Sequence, residues 1–365
     1  MQLIYLSPVP WSSFAQRPHK FVEWFHSSTG GDVLWVDPYP TRFPVLSDFR
    51  RLGTKEGHTN LMSHPWLKVV RPSALPVEPL PASGMLNAFV WNSTLKEIEL
   101  FSRQKPTALA IGKPSVFALA VLKRFKGNLS IYDAMDDFPA FYSGLSRWAL
   151  NRRERKLVQG VTYVLTSSTA LMQRWSNARS DVQLVHNGLD ASALPKSNSS
   201  ITNREKKVLG YVGTIGPWFD WDWVIALAKF RPLDVVRLIG PVFAPAPCVL
   251  PNNIEALPPC SHEAAILAMQ DFDVGLIPFK RNDLTASVDP IKYYEYRAMG
   301  LPVISTDFGE MAFREGKEGT FLSRELHDIK DQVQNALRYK ADVEKTRQFT
   351  AENTWESRFE GTGII

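Results

Sequence analysis

Short runs of apolar residues alternate with amphipathic, helix-like segments along most of the 365-residue chain. The short runs read as buried strands. In the first half they are Leu3–Ser7, Val33–Val36, Lys68–Arg71, Phe89–Asn92, Ala108–Ile111, Leu129–Tyr132, Tyr163–Thr166 and Gln183–Val185. After Pro195 the polar, turn-rich KSNSSITNREKK breaks the pattern and reads as a linker. The alternation resumes with Val208–Val212, Val235–Ile239, Ile254–Leu257, Val274–Pro278, Val303–Ser305 and Thr320–Leu322. Strands separated by helices imply parallel sheets covered on both faces. The pattern therefore predicts an α/β protein of two doubly wound, Rossmann-like domains facing a cleft, residues 1–195 and 196–345. Residues 346–365 are assigned to a terminal helix returning to the first domain.

In such sheets ligands bind beyond the carboxyl ends of the strands, so the loops there are where chemistry is sought. The most informative is DVGLIPFKRNDLTASVDPIKYYEYRAMGLPV, Asp273–Val303, read as strand, polar loop, helix and strand. Pro290 suits a first helical turn, Asp289 an N-cap and Gly300 a C-terminal stop. Lys292, Glu295 and Tyr296 fall at i, i+3 and i+4 on one face. A lysine near a helix N-terminus is unfavourable unless an anion lies there, and a phosphate would resolve the conflict. Glu295, one turn on, could then hold sugar hydroxyls; the alternative is a surface ion pair. Gly213-Thr214-Ile215-Gly216 follows a strand and precedes a helix near Phe219, which suits either a phosphate or a tight turn. Trp218 or Phe219 could line a sugar pocket. The acidic residue of a dinucleotide fingerprint is missing after the next strand, which counts against a nicotinamide dehydrogenase.

In the first half, Asp133, Asp136 and Asp137 follow a buried strand. Neighbouring carboxylates raise each other's pKa, which suits a general base, although one of them could cap the next helix. The long loop Ser7–Pro18 leads to a helix at His19–Phe25 and fits an active-site wall. Arg17 at its end reads as an anion contact or a surface arginine.

Composition is that of a soluble globular protein. Cys248 and Cys260 have no ligand-like spacing, which predicts a reducing compartment and no metal site. The sequence shows no leader pattern and no apolar run of membrane-spanning length, so a cytoplasmic location is expected. Charge is uneven: residues 1–200 carry 23 Lys+Arg against 14 Asp+Glu, and the remainder 19 against 23. A first half at +9 points to an anionic partner. Two basic amphipathic stretches, Val116–Lys126 and Arg147–Val158, could rest on an anionic membrane or simply pack on a sheet. No pattern for nucleic-acid recognition is present.

VTYVLTSSTALMQRW with VQLVHNGLD, LGYVGTIGPWFDW and DPIKYYEYRAMGLPVISTDFGE, taken in order and spacing, resemble GT-B glycosyltransferases of the group 1 type. QRPHK and YDAMDD resemble the bacterial exopolysaccharide and cell-surface polysaccharide transferases of that fold. The resemblance implies transfer of a sugar from a nucleotide diphosphate sugar, UDP-sugars favoured, to a hydroxyl of a glycan or polyprenyl-diphosphate-linked glycan. This would be hexosyltransferase chemistry without metal or cofactor, with peripheral contact at the inner membrane face. By that resemblance Lys292 contacts the donor diphosphate, Glu295 the ribose, Gly213 and Thr214 lie against the diphosphate, and Leu257 borders the base. Many retaining members carry a second glutamate eight positions before the first; here that position is Ser287. Ile291-Lys292 ahead of the helix body looks closer to inverting xanthan-type glucuronosyltransferases, so retention and inversion both stay open. For inversion Asp136 is the expected base, with Asp137 or Asp133 as substitutes. The competing readings are a GT-B sugar-nucleotide epimerase and a degenerate transferase acting as a binding module.

Overall fold

A computed structural model describes residues 1–39, 64–75, 78, 84, 87–125, 127–195 and 205–365. Its contacts divide the chain into two compact units, Met1–Val185 with Phe359–Ile365, and His186–Arg358. The division falls ten residues before the expected 195/196 border. Residues just past Val185 hydrogen-bond into the second unit: Asn187 N–H donates to Asp289 Oδ2 at 2.7 Å, and Leu189 pairs with Thr354. The linker stretch 196–204 lies outside the described residues. Of the segment 346–365, Phe359–Ile365 belongs with the first unit and the part before it with the second.

The first unit contains β1 (Gln2–Leu6), α1 (Arg17–Thr29), β2 (Val33–Val36), β3 (Leu67–Val70), α2 (Asn92–Ser102), β4 (Thr107–Ile111) and α3 (Val116–Arg124). It continues with β5 (Ser130–Ala134), a 3-10 turn at Phe138–Phe141, α4 (Gly144–Gly160), β6 (Tyr163–Thr166), α5 (Thr169–Ser176) and β7 (Val182–Leu184). The strands form one parallel sheet in the order β3-β2-β1-β4-β5-β6-β7. β1, β2, β4 and β5 are buried along their whole length, as strands covered on both faces must be. Their apolar side chains pack against Phe117 and Val121 of α3 and Leu157 and Val158 of α4.

The second unit contains β8 (Val208–Val212), α6 (Trp221–Phe230), β9 (Val235–Ile239), β10 (Ile254–Leu257), α7 (His262–Met269), β11 (Val274–Ile277) and α8 (Ile291–Ala298). It ends with β12 (Val303–Thr306), β13 (Thr320–Ser323), α9 (Ile329–Arg338), α10 (Val343–Glu352) and α11 (Trp355–Glu360), whose last turn passes into the first unit. Its parallel sheet runs β10-β9-β8-β11-β12-β13, the same winding as the first. In each sheet the strand order reverses once, between β1 and β4 and between β8 and β11, and the crevice at such a point is where doubly wound sheets take ligands.

One expected strand is absent. Phe89–Asn92 is a turn running into α2. Trp91 is buried, and Leu95 and Ile98 continue its stripe at helical spacing, whereas Phe89 is 83% exposed.

Candidate functional site

In the second unit, β8 and β11 deliver their loops to the point of reversal. At the first, Gly213 has φ 155° and Gly240, after β9, has φ 145°. A Cβ on Gly240 would lie 2.1 Å from the Gly213 carbonyl oxygen, so the two loops touch backbone to backbone and only glycine fits. Gly213 N–H donates to Ile239 O at 2.9 Å and Ile215 N–H to Pro241 O at 2.9 Å. The Gly213 amide is therefore already used, and this residue offers close approach rather than a donor. The N-terminus of α6 is capped by Asp220, whose carboxylate accepts from Trp223 N–H at 3.0 Å, so an acid already occupies that helix end. Phe219 is fully buried against Tyr211 and Trp221 and cannot line a pocket.

The helix after β11 differs. Residue 290 is the N-cap of α8, and a proline has no side-chain acceptor to give the first-turn amides. Asp289, expected to cap, is instead a buried hub. It accepts from Asn187 N–H and from Tyr294 O–H at 2.9 Å, and pairs with Arg314. Beside the uncapped turn, Lys292 Nζ lies 2.5 Å from Glu295 Oε2, and His262 Nε2, in the first turn of α7, lies 3.0 Å from Glu295 Oε1. Burial alone would raise the Glu295 carboxyl, but the Lys292 charge and the hydrogen bonds from His262 and Lys292 outweigh it and hold it below its ordinary value. Glu295 is thus a charged carboxylate with 7% of its side chain exposed, while Lys292 keeps 24%. Ile291 is partly exposed in the same turn, and Leu257 is 42% exposed at the end of β10.

Tyr296 does not share that opening. It is fully buried, and its hydroxyl accepts from Val212 N–H at 3.1 Å. A Cβ on Gly275 would meet its ring at 2.4 Å. Tyr296 fastens α8 to the sheet, and its expected place among donor contacts is corrected to a structural one.

In the first unit the three aspartates separate. β5 extends to Ala134, so Asp133 lies within the strand and not in the loop. It is fully buried, accepts from Arg17 Nε at 2.8 Å and from Tyr5 O–H at 3.1 Å. Arg17, 1% exposed, also donates to Val185 O at 2.7 Å. Arg17 is a core ion-pair partner and not an anion contact, and Asp133 is withdrawn as a base for the same reason: each satisfies the other's buried charge. Asp137 is held by Arg174 at 2.5 Å, and that guanidinium also binds Glu154 and Asn151. Asp136 alone of the three has no ion pair or side-chain hydrogen bond among the described residues. Burial raises its carboxyl; Arg17 opposes this, and Asp133 and Asp137 add to it, leaving it at about 7. His19, of the QRPHK stretch, is buried beneath Trp11 and Trp35, and burial pushes its imidazole down to about 4. It is a neutral structural group whose Nδ1 accepts from Gln16 N–H. Among the described residues no group of three or more His, Cys, Asp or Glu side chains could hold a metal ion.

No family model matches the chain. A region of 199 residues is 28% identical to the Bacillus subtilis (strain 168) protein named "Putative teichuronic acid biosynthesis glycosyltransferase TuaH". The match covers 48% of this chain and spans half the length of that relative. The structure is similar to that of Anabaena Alr3699/HepE in complex with UDP and glucose, with TM-score 0.63 and 15% identity over 100% of this chain and 97% of the other. It is also similar to the E. coli structure "Trehalose-6-phosphate from E. coli bound with UDP-2-fluoro glucose", with TM-score 0.64 and 11% identity over 99% and 98% of the two chains. Two doubly wound parallel sheets and full-length superposition decide the architecture. The fold is GT-B.

Within the GT-B fold of this chain, sequence reasoning missed His262 and Arg174. His262 follows a strand end and opens a helix, which was the one available signal. Arg174 stands 37 residues from the aspartate it binds, with nothing local to mark it.

Proposed function

We propose that this GT-B chain moves a sugar from a nucleotide diphosphate sugar, with UDP-sugars favoured, to a hydroxyl of a glycan or lipid-linked glycan in cell-surface polysaccharide synthesis. The observation that carries the reading is the Lys292–Glu295–His262 cluster beside an uncapped helix start at the β8/β11 reversal. Similarity to a protein named for teichuronic acid biosynthesis and to structures holding UDP or a UDP-sugar supports it.

An arriving diphosphate would draw Lys292 Nζ from Glu295 and meet the first-turn amides of α8. That frees Glu295 Oε2 to accept from ribose hydroxyls while His262 keeps the other oxygen. As the bond from the sugar's anomeric carbon to the diphosphate breaks, charge grows on the leaving oxygen. Lys292, the helix start and the Thr214 loop stabilise it, so the reaction needs no metal or other cofactor. For inversion, Asp136 takes the proton of the attacking acceptor hydroxyl; a carboxyl titrating near 7 is matched to that task. A polyprenyl-diphosphate-linked acceptor would bring the chain to an anionic membrane surface.

The test is a thermal-shift panel of nucleoside diphosphates and nucleotide sugars, since a ligand that binds the native state raises its melting temperature. UDP and UDP-sugars are expected to stabilise the protein and Lys292→Ala to remove the shift. No shift with any nucleotide would sink the reading. Sugar interconversion without any acceptor would replace it by an epimerase.

A further inference from the structure

The structure assigns a membrane-docking surface to the outer face of α4, specific for bilayers with anionic headgroups. α4 begins ten residues after β5 ends, so its first turns lie at the carboxyl end of the sheet, close in sequence to the Asp136 loop. At that end three large apolar side chains stand in solvent: Phe141 at 54%, Leu145 at 69% and Trp148 at 54% exposure. At 3.6 residues per turn, Leu145, Trp148, Arg152, Arg155 and Lys156 fall within about 100° of arc. The opposite face carries Leu150, Glu154, Leu157 and Val158, all buried. The Arg152 guanidinium sits over the Trp148 ring at 5.6 Å, which fixes these two on the same side. Arg152, Arg155 and Lys156 are exposed and make no ion pair among the described residues.

Solvated helix faces are normally polar, and a cluster of exposed Phe, Leu and Trp marks an interaction site. The order along the helix identifies the partner. Apolar residues at one end followed by three cations on the same stripe match acyl chains and anionic headgroups, with Trp and Arg both suited to the boundary. The three apolar side chains offer on the order of 350 Å², under half of the roughly 800 Å² that a stable protein partner takes from each side. The other basic amphipathic helix, α3, is not a competitor: Phe117, Ala118, Val121 and Leu122 are buried in the core, and Arg124 pairs with Glu99.

This surface deepens the lipid-linked-acceptor reading and is tested apart from it. In flotation assays the full chain is expected to bind vesicles of phosphatidylcholine with phosphatidylglycerol and not pure phosphatidylcholine, with binding lost at high salt. Each of Arg152→Gln, Arg155→Gln and Lys156→Gln should weaken binding about fivefold. Leu145→Ser with Trp148→Ser should weaken it at least tenfold. Retention of the UDP-dependent thermal shift shows that each variant is folded. Equal binding to both vesicle types, no binding by the wild type, or variants that bind like it would overturn the assignment. So would a concentration-dependent dimer abolished by the Leu145/Trp148 change, because self-association would then own the face. Vesicle binding without sugar transfer to a water-soluble acceptor would count against the transferase reading alone.

Discussion

Replacing Asp136 by asparagine should disable the protein and stabilise it at the same time. Its carboxyl, ordinarily near 3.8, is held at about 7 in the folded chain, chiefly by burial. At 1.36 kcal/mol per pH unit the difference corresponds to about 4 kcal/mol. The side chain is partly open to solvent, so about 1–3 kcal/mol is expected to be realised. The sign follows from proton binding. Between about pH 4 and 7 the folded state holds a proton that the unfolded state has released, so wild-type stability falls as pH rises through this window and the loss is complete above 7. The amide of the Asp136→Asn variant never ionises and escapes the loss. Calorimetric melts of both proteins at pH 5 and pH 8 read the effect; each carries the same background of other titrating groups, which cancels in the difference. The variant's advantage should be small at pH 5 and larger at pH 8 by roughly 2–10 °C for a unit of this size. Sugar transfer at pH 8 should fall about 10²–10⁴-fold, with the UDP-dependent thermal shift unchanged. In wild type, transfer should rise about tenfold per pH unit below 7 and level above it. An advantage equal at both pH values, or near-normal transfer by the variant, would refute the assignment of a raised carboxyl as base.

Arg17→Met strands the buried Asp133 carboxylate and should cost about 3–5 kcal/mol in urea unfolding, whereas loss of a mere surface anion contact would cost nearly nothing. Lys292→Ala should weaken UDP binding by tenfold or more in titration calorimetry and lower the melting temperature of the free protein by a few degrees, since it leaves the largely buried Glu295 carboxylate with only its His262 contact among the described residues. Gly240→Ala places a methyl 2.1 Å from the Gly213 carbonyl at a φ of 145°, so poor folding or a lowered melting temperature is expected, together with loss of nucleotide binding.

The alternation of strands and helices was legible because parallel strands buried on both faces appear as short unbroken apolar runs. The same signal misled at Phe89–Asn92, where an apolar stretch of strand length is the entrance to a helix. At the site, the i, i+3 pairing of Lys292 and Glu295 was readable because it is local. Tyr296 was misplaced because every residue of α8 from Tyr293 onward is buried, leaving a much narrower open edge than an ordinary surface helix shows. Asp133 was grouped with Asp136 because the strand ends two residues later than its apolar run suggests, and that difference sends one carboxylate into the sheet and leaves the other in the loop. Arg17 lies 116 residues from the partner that buries it, a pairing no local pattern announces.

Phe359 has a bearing on how the protein is made. It is fully buried in the first unit, its ring 5.1 Å from that of Phe21 and 5.4 Å from that of Trp24, with the Arg17 guanidinium 5.5 Å away. The ribosome releases Val185 roughly 170 residues before it reaches this side chain, an interval of roughly 10–35 s at about 5–20 residues per second. Throughout that time the nascent first unit carries an open apolar notch beside α1 and an arginine not yet covered. Chaperone holdases are expected to engage it there. A ribosome stalled before codon 359 would then leave the earlier-made half protease-sensitive, although every one of its strands has already emerged.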